Sequence, residues 1–185
     1  MKRAFDIFVS LLGLIILLPV FLIIGVLIKL DSPGPIFYRG IRVGRHGKLF
    51  KVLKFRTMVK DAEKLGPGIT SKNDVRITRI GKYLRRLKLD ELPNLINVLR
   101  GEMSLIGPRP ELPEYVEKYF GDAKDVILSV RPGITGLAQL RYSREEEEIT
   151  DVARDYPRIL QDKLALDIEY CKNVSFINDL RILID

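Results

Sequence analysis

No charged side chain occurs between Ile7 and Ile28, and this run constrains the fold more than any other feature of the chain. At about 1.5 Å of rise per residue it is long enough, as a helix, to reach across a hydrocarbon layer of about 30 Å. A cleaved leader fits poorly, because the run is too long and no small-residue cleavage pattern follows it. Pro19 stands near its middle, where it removes a helical hydrogen bond and clashes with the carbonyl of Ile15. A bend is expected there. Lys2 and Arg3 precede the run and Lys29 follows it. A straight span would carry one basic end across the membrane, whereas a re-entrant helix broken at Pro19 keeps both in the cytoplasm. Pattern alone leaves both arrangements open.

The remainder has the size of one ordinary domain. Its 31 Lys+Arg against 24 Asp+Glu give a net charge of +7, a surface suited to anionic partners. One cysteine, Cys171, permits no internal disulfide, and one histidine, His46, leaves little material for a zinc site or a Ser-His-Asp site. "GRHGK" lacks the Ser/Thr and the glycine spacing of a phosphate loop, and no GxGxxG occurs. Basic residues without a binding module or a stacking motif argue against nucleic acid.

Alternation through Ile36–Tyr38 and Leu49–Phe55 predicts two short strands joined by a turn around Arg45 to Lys48. Arg76, Arg79, Lys82 and Arg85 recur every third residue, with Ile80, Leu84 and Leu87 between them. On a helix this is a basic stripe beside an apolar one, suited to a solvated face, to lipid head groups or to a bound phosphate. Pro93 suits the first turn of a following helix, which sets Asp90 and Glu91 just before a helix N-terminus. Backbone N–H groups there favour an ionised carboxylate, able to act as a nucleophile or a Mg²⁺ ligand. "GPRP" and "RPGITG" place Arg109 and Arg131 beside prolines, which stiffen the backbone that aims a guanidinium. With "KFRTM" and the acidic pair, they point to a polyanionic substrate.

Taken in order, "SPGPIFYRGIRVG", "KFRTM", "NDVRITRIGKYLRR", "LDELPNLINVLRGEMSLIGPRPE" and "RPGITGLAQ" resemble the bacterial sugar transferase family, specifically its small monotopic phosphoglycosyl transferases of the PglC type. The likeness covers essentially the whole chain. It implies transfer of a sugar-1-phosphate from a UDP-sugar to a polyprenyl (undecaprenyl) phosphate, with release of UMP through a covalent aspartyl-phosphosugar enzyme. Carried over, Asp90 is the nucleophile and a Mg²⁺ contact, and Glu91 is its dyad partner. Lys54, Arg85 and Arg109 would clamp phosphates or the uridine side of the donor. Arg56 and Pro110 fall in the same motifs, while Arg131 and Gln139 come from the "RPGITGLAQ" block. The family also implies the re-entrant anchor. Its members place serine before the breaking proline, where this chain has Leu18, and often glutamine where this chain has Gly40.

The expected architecture is α+β and mainly helical, with a small antiparallel hairpin and interfacial amphipathic helices. Residues 1–31 form the re-entrant membrane helix and residues 32–185 a cytosolic catalytic domain at the inner membrane. The acidic run within residues 144–151 reads as a solvated loop or helix end. Tyr156, Leu160, Leu164 and Ile168 predict a helix over 155–170; on it Asp167 and Tyr170 resemble the family's D..Y pair, which implies structural support of the site. A direct ternary-complex transfer and a non-catalytic scaffold of a polysaccharide assembly complex are the alternatives. The sugar, the pathway and any homo-oligomer stay open.

Overall fold

The computed structural model describes residues 1–66, 68–143 and 148–184. The chain begins with helices α1 (Lys2–Ile16) and α2 (Leu18–Asp31), bent 61° against each other. The bend falls at Leu17, with Pro19 at the second position of α2, as the missing N–H and the ring clash require. Among the described residues no single helix is long and apolar enough to cross a membrane, although the bent pair passes that test together. Phe8, Leu11, Ile15, Leu18, Leu22 and Ile23 lie along its exposed side.

Both ends of this pair are tied to the body of the protein. The Lys2 ammonium pairs with Asp179 and donates to the Ile106 carbonyl at 3.1 Å and to the Tyr170 hydroxyl at 3.3 Å. Arg3 donates to the carbonyls of Val98 and Leu99 at 2.7 and 3.3 Å. Asp6, which is buried, accepts from the Ser104 hydroxyl at 2.8 Å and the Leu105 N–H at 3.3 Å. At the other end Asp31 accepts from the Ile80 N–H at 3.0 Å. Replacing Lys2 with methionine strands a buried carboxylate at Asp179, and a loss of about 2 kcal/mol is expected. A thermal melt in detergent reads it; an unchanged midpoint would mean that this end is loose.

Strands β1 (Phe37–Val43) and β2 (Leu49–Phe55) form the expected antiparallel hairpin, Phe37 opposite Phe55 and Val43 opposite Leu49. The turn between them includes His46 at φ 57°. Helix α3 (Arg79–Arg86) follows, capped by the Thr78 hydroxyl, which accepts from the Gly81 N–H at 3.0 Å. The anticipated basic stripe divides here. Arg76 precedes the helix and is buried against Asp74, and Arg85 turns inward, while Arg79, Lys82 and Arg86 remain exposed. A 3-10 turn at Leu89–Glu91 then leads into α4 (Asn94–Arg100).

A second sheet was not legible as strands. β3 (Ser104–Ile106) runs parallel to β4 (Gly133–Thr135), with α5 (Pro113–Tyr119) and α6 (Ala123–Ile127) in the connection. Helix α7 (Leu137–Arg141) precedes the long α8 (Val152–Lys172), and α9 (Phe176–Ile184) closes the described chain. Arg144 to Glu147, most of the acidic run, lie outside the described residues. The expected helix over 155–170 is α8, capped by Asp151 accepting from the Ala153 N–H at 2.9 Å.

The core gathers where these elements meet. Val43, Val116, Phe120, Ile127, Ile159 and Leu160 pack the hairpin end against α5, α6 and α8. Ile24 and Ile28 of α2 pack on Phe55 and Leu84, which fixes the end of β2 beside α3. Asn97 ties β2 to α4: its Oδ1 accepts from the Leu53 N–H at 2.9 Å and its Nδ2 donates to the Lys51 carbonyl at 2.8 Å. Bonding on both sides of Val52 satisfies backbone groups on the strand edge that β1 does not pair and sets the register of Lys54 against the turn that carries the acidic pair.

Candidate active site

Lys54, one residue from the end of β2, donates to Glu91 Oε1 at 2.6 Å. Arg109, in the loop after β3, reaches the same oxygen through NH1 at 3.3 Å. Burial works against a charge on Glu91, but Lys54 and Arg109 outweigh it and hold its carboxyl well below the usual range. Burial lowers the Lys54 ammonium, with Glu91 pulling it back up and Arg109 pushing it further down.

Asp90 is placed differently. It is 8% exposed, and its carboxylate has no hydrogen bond or ion pair among the described residues. Burial raises its pKa, opposed first by Lys54 and then by Arg85 and Arg109, while Glu91 adds to the rise. A buried carboxylate costs free energy unless something engages it, so one left unengaged within reach of three cations is suited to meet a ligand. Glu91 by contrast anchors two of those cations, Lys54 and Arg109, through Oε1. The two acids have divided tasks.

Arg85 of α3 completes the group. Its NH2 donates to the Thr70 hydroxyl at 2.8 Å, and NH1 lies 3.4 Å from that of Thr57. α3 approaches this closely because Gly81 lies against the Thr57 carbonyl, where a Cβ would stand 2.1 Å from the oxygen. Thr57 and Thr70 escaped the sequence reading, since an isolated threonine in a polar stretch carries no signal of its own.

Arg109 is held by a backbone clasp. "GPRP" and "RPGITG" are not independent phosphate turns but the two sides of the parallel β3–β4 ladder. The Gly107 N–H donates to the Thr135 carbonyl at 3.0 Å and the Gly133 N–H to that of Pro108 at 2.8 Å. Any Cβ on Gly133 would lie 2.1 Å from the Gly107 nitrogen, and one on Gly136 would lie 2.4 Å from its oxygen. Gln139 supports the same loop through a long contact, 3.5 Å from Nε2 to the Gly107 carbonyl. Pro110, half-buried, stiffens the segment between Arg109 and buried Glu111.

Two candidate arginines are engaged elsewhere. Arg56, 5% exposed, gives NH1 to the Pro33 carbonyl at 2.7 Å and NH2 to that of Ser32 at 2.8 Å. Arg131 donates Nε to the Gly101 carbonyl at 2.9 Å, at the far end of α4 from the acidic pair. Ser32 caps α2 and Gly101 caps α4 at their C-termini. Carbonyls there lack helical donors and carry the negative end of the dipole, so a guanidinium binds them as it would bind phosphate oxygens.

Mg²⁺ prefers one or two carboxylates, with substrate phosphates and waters filling the remaining positions. No cluster of three or more His, Cys, Asp or Glu suited to a metal occurs among the described residues, which excludes an all-protein cage there. Asp90, being unengaged, fits the sparser arrangement.

The profile of bacterial sugar transferases matches residues 1–185. This chain belongs to that family. It is 42% identical to the exopolysaccharide production protein PSS of Rhizobium leguminosarum bv. phaseoli, over 99% of this chain and 91% of the relative. It is also 42% identical to the undecaprenyl-phosphate glucose phosphotransferase of Komagataeibacter xylinus, over 98% of this chain. With the UDP-N-acetylgalactosamine-undecaprenyl-phosphate N-acetylgalactosaminephosphotransferase of Aeromonas hydrophila the identity is 38%, again over 98%. The chain spans only 34% and 41% of the lengths of these last two relatives. Their names differ in the sugar, so likeness to this bacterial sugar transferase does not choose between glucose and N-acetylgalactosamine.

Proposed function

We propose that this chain transfers a sugar-1-phosphate from a UDP-sugar to undecaprenyl phosphate or a similar polyprenyl phosphate, releasing UMP. The observation that carries the mechanism is Asp90, buried and unengaged, among Lys54, Arg85 and Arg109. A carboxylate oxygen of Asp90 attacks the phosphorus bonded to the sugar. The P–O bond to UMP breaks, its electron pair leaving with UMP, and an aspartyl-phosphosugar enzyme remains. A phosphate oxygen of the lipid then attacks the same phosphorus and frees Asp90. Glu91 stays ionised throughout and holds Lys54 and Arg109 against the donor diphosphate, while Arg85 approaches from α3. Mg²⁺ bound at Asp90 would offset diphosphate charge and stabilise UMP as it leaves.

The same reading places residues 1–31 as a re-entrant anchor and residues 32–185 as a catalytic domain on the cytoplasmic face of the bacterial inner membrane. Support comes from the ties of Lys2 and Arg3 at one end of the bent pair and Asp31 at the other, all to one body. A bent helix pair tied at both ends to one body suits a segment that enters a bilayer and returns by the same face. Exposed Arg79, Lys82 and Arg86 on α3, beside exposed Tyr83 and Leu87, suit an anionic lipid surface.

The test is UMP release from UDP-glucose and from UDP-N-acetylgalactosamine with undecaprenyl phosphate, with and without Mg²⁺. One of the two donors is expected to be turned over, and chelation to abolish release. No UMP from any UDP-sugar tried would end this reading.

A further inference from the structure

Three arginines from distant parts of the chain meet at the last turn of α4. Arg3, at the start of α1, donates to the carbonyls of Val98 and Leu99 at 2.7 and 3.3 Å. Arg131, two residues before β4, donates Nε to the Gly101 carbonyl at 2.9 Å. A Cβ on Gly101 would stand 3.5 Å from NH2 of Arg3, so both guanidinium groups lie against the same residue. Arg45, exposed in the hairpin turn, donates Nε to the Ser129 carbonyl at 2.8 Å, two residues before Arg131. Exposed Arg100 adds a further charge at this turn of α4.

Among the described residues none of Arg3, Arg45 and Arg131 forms an ion pair with a carboxylate. Their bonds go to backbone carbonyls, and the two terminal nitrogens of Arg131 have no protein partner among the described residues. A guanidinium carries five donors, so donors remain on all three. Holding the end of α4 accounts for Arg3 and for Nε of Arg131, but not for the terminal edge of Arg131 or for Arg45. Burial, then the charges of Arg3 and Arg45, press the Arg131 guanidinium down, while Asp6 pulls it back up. Asp6 itself accepts from Ser104 and Leu105. Like charges gathered in this way repel unless an anion sits among them.

The place of the cluster selects the anion. Ile7 follows Arg3 by one turn on the same face of α1, and Ile7 and Phe8 are exposed. Lipid-facing surface therefore begins about 6 Å along the helix from Arg3, which sets the cluster at head-group depth. Asp90 and Glu91 precede the opposite end of α4.

We propose that Arg3, Arg45 and Arg131 form a binding site for the phosphate of one anionic phospholipid, seated at the end of α4 beside the point where α1 enters the bilayer. The forked guanidinium groups take its oxygens in pairs. The site is separate from the exposed basic face of α3, which lies by the end of α2. This inference rests on the reading of residues 1–31 as a re-entrant anchor.

The experiment is native mass spectrometry of the full chain released from detergent, titrated with phosphatidylglycerol or with phosphatidylcholine of the same acyl chains. One phosphatidylglycerol is expected to bind about tenfold more tightly than phosphatidylcholine. Arg131→Gln and Arg45→Gln should each weaken it about fivefold, the effect of one basic residue at an anionic surface. Arg158→Gln, which removes the same charge from an exposed position on α8, should stay within about twofold of the parent. Melting curves in detergent accompany each variant, and exposed Arg45 carries the test should Arg131→Gln loosen the end of α4. Equal affinity for the two lipids, or variants indistinguishable from the parent, would overturn the inference. Displacement of phosphatidylglycerol by an equal concentration of inorganic phosphate or of undecaprenyl phosphate would overturn it too, since the site would then serve a soluble anion or the acceptor. These outcomes leave the transferase and anchor readings standing. Failure of the parent chain to float with vesicles of either lipid would overturn the anchor reading and this inference together.

Discussion

Asp90→Asn is expected to lower transfer by at least about 10³-fold while leaving the fold intact. An amide of the same shape has no nucleophilic oxygen, so the chemical step loses its attacking group and not only its orientation. Stability should hold or rise. Burial raises the Asp90 pKa, so the folded state binds this proton more tightly than the unfolded chain does. Its contribution therefore becomes less favourable as pH rises from the ordinary carboxylate range toward the raised value. Asparagine removes that dependence as well as the charge. A variant that melts no lower than the parent yet is inactive places the defect in the chemistry. If Asp90→Asn retained most of its turnover, another group would have to be the nucleophile, and a scaffold role for the acidic pair would regain force.

Gly133→Ala carries the second large effect, and it acts through backbone. Its Cβ would stand 2.1 Å from the Gly107 nitrogen and 2.5 Å from the Thr135 oxygen, neither of which can swing aside as a side-chain tip can. The β3–β4 pairing must open, taking Arg109 with it. The overpacking costs about 3 kcal/mol, and a displacement of about 1 Å at a phosphate-binding residue lowers activity by about 100-fold. Gly40→Ala is the control, because the atoms nearest its new methyl belong to the end of the exposed Tyr38 side chain and not to backbone. Little change in activity is expected there. Equal losses at both positions would mean that the clasp has no special part in holding Arg109.

These two predictions divide along what the sequence made legible. The acidic pair could be read because chemistry and spacing coincide: two acids, a proline, then an apolar helical face. The hairpin, the bend at Pro19 and helix α8 were legible because each is a local pattern in period or punctuation. The β3–β4 ladder was not, since each strand is three residues long and its partner lies far along the chain. What marks it is glycine at 107, 133 and 136, and that signal acquires meaning only when the two backbones touch. Arg56 and Arg131 were read toward phosphate because a helix-end carbonyl and a phosphate oxygen make the same demand on a guanidinium. Asp6, buried against Ser104 and Leu105, drew no notice in the sequence, since its partners lie about a hundred residues along the chain. Lys163 was missed outright, because its position among the apolar residues of α8 resembles a tolerated exposed lysine until Glu111 is found facing it.

The most direct test of the central claim is intact-mass spectrometry of the purified chain incubated with a UDP-sugar that it turns over, with no lipid acceptor present. The expected result is a new species heavier by one sugar phosphate, absent from Asp90→Asn and discharged when polyprenyl phosphate is added. Brisk turnover with both substrates, but an unmodified mass and no UMP released from donor alone, would contradict it and establish direct transfer between the two bound substrates.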